Sequence, residues 1–202
     1  MNNTKEPWEL DRNLNDHTSS NREYRNDYSN LNFDNKSYRN FDLTTILFLS
    51  KRGMSRAPLA REIMSELLEN TDLFGRVRTS SRGVTDAYDQ CPIDARMSKF
   101  SSKLGFFLNG FSRLVTVPDI ANSDVIITLD YESENFIRLN KSYVKGITRP
   151  IGTFFSNGSS PYIQDPYDRD DEDDIDDHYE KIANSIKLGC SKLFTQLPSL
   201  IS

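Results

Sequence analysis

Ile46-Leu-Phe-Leu-Ser50-Lys-Arg-Gly53-Met-Ser-Arg56-Ala-Pro58-Leu-Ala60 divides into three parts. Ile46 to Leu49 is apolar and partly β-branched, and with residues 43–45 it reads as a buried strand. Residues 50–55 have loop composition, with Gly53 suited to a left-handed backbone. Pro58 reads as the opening of a helix, where a missing N–H costs nothing, and Leu59, Ile63, Leu67 and Leu68 fall on one face of it. In a strand, tight loop and helix start, successive loop N–H groups point inward and the helix N-terminus adds partial positive charge. A phosphate dianion fits such a cradle. The phosphate-binding set is therefore expected to be Lys51, Arg52, Gly53, Met54, Ser55 and Arg56. Arg56 can fork two N–H donors onto two phosphate oxygens, with Lys51 and Arg52 adding charge at the rim.

Outward from this stretch, strands and helices alternate. Residues 76–80, 124–129 and 146–150 read as strands, and 114–117 as a weaker strand candidate. Residues 94–104, 132–139 and 176–197 read as helices, with loops over 83–92 and 156–161. This alternation implies an α/β fold whose parallel sheet is covered on both faces. No internal repeat is visible.

Residues 1–41 differ in kind. They are rich in Asn, Asp, Ser, Arg and Tyr, with Leu10, Leu14 and Leu31 as the only aliphatics besides Met1. Such a segment cannot bury enough apolar surface to offset its ordering entropy, so a disordered head is expected. Its Trp8, Tyr24, Tyr28 and Tyr38 are the residues suited to a short docking motif.

The whole chain has 202 residues, a net charge of −5 and 36% hydrophobic residues, a deficit concentrated in the head. Its acids cluster near residues 165–180 and no basic stripe balances them, which argues against nucleic acid as a partner. No apolar run is long enough to span a bilayer, so no membrane partner is expected. The N-terminus has no signal-peptide pattern, and Cys91 and Cys190 show neither pairing nor metal-ligand spacing. A cytoplasmic protein with free thiols is the expectation. The run over 168–177 lacks the glycine and ordered alternation of a calcium loop. It reads as a solvated acidic segment before a helix, and no metal is expected. His17 lies in the head, and His178 reads as a surface residue.

The stretch around Ser50 resembles the signature of low-molecular-weight protein tyrosine phosphatases: apolar strand, Cys, five residues, Arg, Ser, Pro, helix. Pro92-Ile-Asp94-Ala-Arg96 is similar to that family's Pro-x-Asp-Pro-Arg segment. Ile126-Ile-Thr-Leu-Asp130, followed by Glu134-Asn135, is similar to its Met-Asp-x-x-Asn segment, and Asp165-Pro166-Tyr167 to its Asp-Pro-Tyr motif. The matches keep the family's order over about residues 43–198. The resemblance implies a single three-layer domain with a four-stranded parallel sheet, helices on both faces and no cofactor. It also implies a cysteine thiolate that attacks phosphorus, an aspartate at Asp165 that protonates the leaving phenol, and aromatics at Tyr88 and Tyr167 that line the pocket.

Ser50 stands where the family has its nucleophilic cysteine, and Ala57 where it has serine. Ser55, Lys51, Arg52 and Gly53 also depart from the usual types. A thiol has a pKa of about 8.5, lowered further at a helix N-terminus, whereas an alcohol needs a base to become a nucleophile. No such base is evident in the sequence. The expectation is a catalytically impaired phosphatase-like domain that binds phosphate, a phosphotyrosine protein or another anionic ligand. Its alternatives are an active tyrosine phosphatase, either mutated for study to a Cys→Ser trap or using unusual chemistry, and a scaffold protein with a vestigial loop. Departures at several loop positions favour natural loss over a single engineered change. Arsenate reduction needs more cysteines than this chain has. The partner's identity and the oligomeric state are left open.

Overall fold

Strand β1 (Thr44–Ser50) is the centre of the molecule because both its faces are apolar. In the computed structural model, which describes residues 43–155, 160–168 and 174–201, Ile46 to Leu49 are all 0% exposed. The expected head (1–41) lies outside the described residues, as do 156–159 of the expected loop and 169–173 of the acidic run.

From β1 the chain passes through α1 (Arg56–Glu69) to β2 (Val77–Gly83), then α2 (Ala95–Lys103) and α3 (Val117–Ala121) to β3 (Val125–Thr128). It continues through α4 (Tyr131–Leu139) to β4 (Ile147–Pro150) and ends in α5 (Ile175–Leu200). The four strands run parallel in the order β2-β1-β3-β4. Side chains alternate across the sheet, as the period of a strand requires. Ile46, Phe48, Val125 and Ile127 join residues of α1, α2 and α5 in one core. Leu47, Leu49 and Ile126 join Ile120 of α3 and Ile137 of α4 in another. The result is the expected three-layer α/β domain. Each fully buried aliphatic or aromatic side chain contributes about 1.5–3 kcal/mol relative to exposure.

Some boundaries differ from the sequence reading. α1 starts two residues before Pro58, at Arg56; Pro58 remains in the first turn, whose N–H groups have no intrahelical acceptor. β2 runs on past Ser80 to Gly83, polar and half-buried because it is an edge strand. Residues 114–117 are not a strand. Leu114 makes one isolated parallel bridge to Gly83, and Thr116 then caps α3 through a capping box with Asp119. His178 is not a surface residue: it is 5% exposed on the inner side of α5. Among the described residues, no helix is long and apolar enough to cross a membrane.

Candidate functional site

The carboxyl end of β1 opens at a point where the strand order turns back, with β2 on one side and β3 on the other. Open α/β sheets bind ligands in the crevice at such points. Residues 50–55 fill it and lead directly into α1. Gly53 has φ +68°, and a Cβ there would stand 2.5 Å from Gly83 N. A Cβ on Gly83 would stand 2.7 Å from Arg52 O. The loop lies against the end of β2 only because both residues are glycine. Gly83 carries no sequence signal beyond being an isolated glycine after a strand.

Two loop N–H groups are used within the protein. Gly53 N–H donates to Ser50 Oγ at 3.2 Å, and Lys51 N–H to Asp130 Oδ2 at 2.7 Å. The N–H groups of Arg52, Met54, Ser55 and Arg56 find no acceptor among the described residues. These donors converge at the N-terminus of α1, the arrangement that favours an anion.

The side chains tell a different story. Arg56 is 2% exposed. Three of its five N–H groups are engaged within the protein, and Nη1 donates to the Ile163 carbonyl at 2.7 Å. Its Nη2 lies 2.8 Å from both Asp165 Oδ2 and Asp130 Oδ2. A buried guanidinium requires paired charge, and two carboxylates converge on this one. Asp165 has both oxygens engaged: Oδ1 accepts the Tyr167 N–H at 3.1 Å and lies 3.6 Å from Arg52 Nη1. Arg52 is not a free rim cation either. Its guanidinium carbon lies 4.4 Å from the Tyr167 ring centroid and 5.1 Å from that of Tyr88. Its Nε is buried without a partner. Lys51 pairs with Glu132 at 2.9 Å. The hydrogen bond and charge of Glu132 raise the Lys51 pKa, and Lys51 in turn lowers that of Glu132.

Two carboxylates that the sequence does not assign a role organise the loop. Asp130 caps α4 through Ser133 N–H at 2.8 Å while its other oxygen receives Lys51 N–H and Arg56. Asp94 caps α2, accepting from Arg96 and Met97 N–H. Its Oδ2 also accepts from the hydroxyls of Ser55, Tyr167 and Tyr179 at 2.8, 2.8 and 2.9 Å. Burial pushes the Asp94 carboxyl up, but those hydroxyls and the Met97 N–H outweigh it and hold it below the usual carboxylate range. Burial and the bond to Asp94 push the Tyr167 phenol up to about 12, and raise Tyr179 further. Both aspartates precede a helix, which is an N-cap signal; nothing local announces their second function. Asp94 N–H also donates to the Met54 carbonyl at 3.1 Å, fixing the loop's far side.

At the nucleophile position, Ser50 is 2% exposed and Gly53 N–H is the partner of its hydroxyl. No histidine, lysine or carboxylate among the described residues hydrogen-bonds to Ser50 Oγ. Ala57 is fully buried in the core rather than lining the loop with a donor. No group of three or more His, Cys, Asp or Glu among the described residues is placed to hold a metal ion.

The loop thus stands at the carboxyl end of a parallel sheet with Arg56, Asp130 and Asp165 gathered on it. Residues 45–200 match the family described as low molecular weight phosphotyrosine protein phosphatase, and the chain belongs to that family. It is 22% identical over 161 residues to the low molecular weight protein-tyrosine-phosphatase YfkJ of Bacillus subtilis, covering 77% of this chain and 96% of that one. To the low molecular weight phosphotyrosine protein phosphatase of Gallus gallus it is 23% identical over 159 residues, covering 78% and 97%. Among solved structures, a protein tyrosine phosphatase from Entamoeba histolytica with Hepes in its active site superposes with a TM-score of 0.68. That match has 20% identity and covers 77% of this chain and 97% of the other.

Proposed function

We propose that this chain is a catalytically impaired member of the family that recognises a phosphate group on a protein and does not turn it over. The observation that carries the reading is a divided loop. Among the described residues, the N–H donors of Arg52, Met54, Ser55 and Arg56 have no acceptor, and the nucleophile position holds an alcohol with no base hydrogen-bonded to it. Backbone donors at a helix N-terminus bind an oxyanion whatever the side chains are. An alcohol without a base does not attack phosphorus at a useful rate. Asp165, which the resemblance makes the proton donor, here accepts from Arg56 and the Tyr167 N–H and lies in ion-pair range of Arg52. A cytoplasmic setting belongs to the same reading, since Cys91 and Cys190 are both free thiols.

Titrating inorganic phosphate while following thermal unfolding tests this. Binding to the folded state raises the melting temperature by mass action, about 2.7 kcal/mol at a hundredfold excess over Kd. The same protein should release no phosphate from a phosphate ester above background. Turnover that vanishes in both Arg56→Ala and Asp165→Ala variants would show a working enzyme. A second reading, a scaffold with a vestigial loop, is favoured by the internal pairing of Arg56 with two carboxylates. Absence of any phosphate-dependent shift would support it.

A further inference from the structure

We infer that Arg52 sets which phosphates this loop accepts, admitting compact ones such as inorganic phosphate and alkyl phosphate esters and excluding aryl phosphates. The inference rests on the reading of residues 50–56 as an anion site.

The Arg52 guanidinium carbon lies over the rings of Tyr88 and Tyr167, at 5.1 and 4.4 Å. Guanidinium is flat and is drawn to the electron-rich faces of aromatic rings. Those are the same faces on which an aryl ring would stack, so the two occupants exclude each other. Arg52 is also held from a third direction by Asp165 at 3.6 Å, and its side chain is only 17% exposed. Its Nε is buried with no partner, so stacking rather than hydrogen bonding fixes that part of the side chain. A ring entering the slot has to strip Arg52 from two aromatic faces and an ion pair. A compact ester has no ring and leaves Arg52 in place. The retained charge also matters because the loop's other buried cation, Arg56, is paired with Asp130 and Asp165.

The test compares Kd values for inorganic phosphate, methyl phosphate and phenyl phosphate in wild-type protein, Arg52→Ala and Arg52→Lys, measured by isothermal titration calorimetry. Losing a charge weakens all of these ligands, so the quantity read is the ratio of the phenyl to the methyl phosphate Kd. Wild type should bind phenyl phosphate no better than methyl phosphate. In Arg52→Ala the ratio should move at least tenfold toward phenyl phosphate. Arg52→Lys keeps the charge without the flat face and should move it in the same direction by less; it decides the matter if the alanine variant does not fold. An unchanged ratio in proteins that all bind phosphate would overturn the role of Arg52 and leave the anion site standing. A wild-type preference for phenyl phosphate would do the same. Failure of every protein to bind inorganic or methyl phosphate would overturn the anion site, and this inference with it.

Discussion

Asp94 and Asp130 stand on opposite sides of the same loop, each capping a helix, and they hold it by different forces. Asp94 gathers three neutral hydroxyls and two backbone N–H groups. Asp130 gathers a buried guanidinium, the Lys51 N–H and the α4 cap. The first is a scaffold that places the loop through neutral donors and pairs with no cation. The second pairs directly with Arg56 and takes the Lys51 N–H, so its charge competes with an anion for those donors. Geometry and affinity are thus governed from different sides of the site, and substitutions should separate them.

Asp94→Ala should have the largest effect on stability. It deletes a helix cap, worth about 1 kcal/mol, and leaves the buried hydroxyls of Ser55 and Tyr179 without their acceptor, at about 1–3 kcal/mol each when no substitute is found. A loss of about 3 kcal/mol or more is expected in urea denaturation. Because the Asp94 carboxyl is held below its usual range, its stabilisation is complete above about pH 4, the ordinary aspartate value. It is lost as pH falls through the lower folded-state value.

Asp130→Asn should cost less and do something Asp94→Ala does not. Asparagine still caps α4, and Asp165 still pairs with Arg56. Weakening one charge-assisted bond costs about 1.5–3 kcal/mol. Phosphate affinity should rise several-fold, since a negative charge has left the cradle. Phosphate affinity that falls instead would mean that Asp130 serves the site by positioning Lys51 N–H.

Ser55→Ala removes one of the hydroxyl bonds to Asp94 and should cost about 1 kcal/mol. Tyr167 offers a pH version of the same contact. Its phenol is raised to about 12, against about 10 in an unfolded chain. Its contribution is present below about pH 10 and is lost as pH climbs through the folded value. Alkaline destabilisation over that window should shrink in Tyr167→Phe. Smallest of all, Glu132→Gln breaks the half-exposed pair with Lys51 and should change stability by less than about 1 kcal/mol.

The sequence shows clearly the parts whose cause is local. β1 and β3 read as buried strands because every residue from Ile46 to Leu49 and from Val125 to Ile127 is apolar. The loop and the turn into α1 follow from Gly53 and Pro58. β2 is under-read because an edge strand tolerates Arg78, Ser80, Ser81 and Arg82. α3 is misread because Val115 and Val117 suggest a strand, while Thr116 and Asp119 form a capping box and Pro118 sits in the first turn. The pairing inside the site is illegible for a different reason. Asp94 finds its hydroxyl partners 39, 73 and 85 residues away, and Arg56 meets Asp165 across 109. Only the closed fold reveals that Arg56 pairs with two carboxylates and that Arg52 lies over Tyr88 and Tyr167.

A loop that holds a phosphate group and leaves it intact has a signature in phosphorus NMR of methyl phosphate with a stoichiometric amount of the protein. The methyl phosphate resonance should be shifted or broadened by wild-type protein and less so by Arg56→Ala, with its integral constant over a day. A growing inorganic phosphate signal that is absent with Arg56→Ala would contradict this reading.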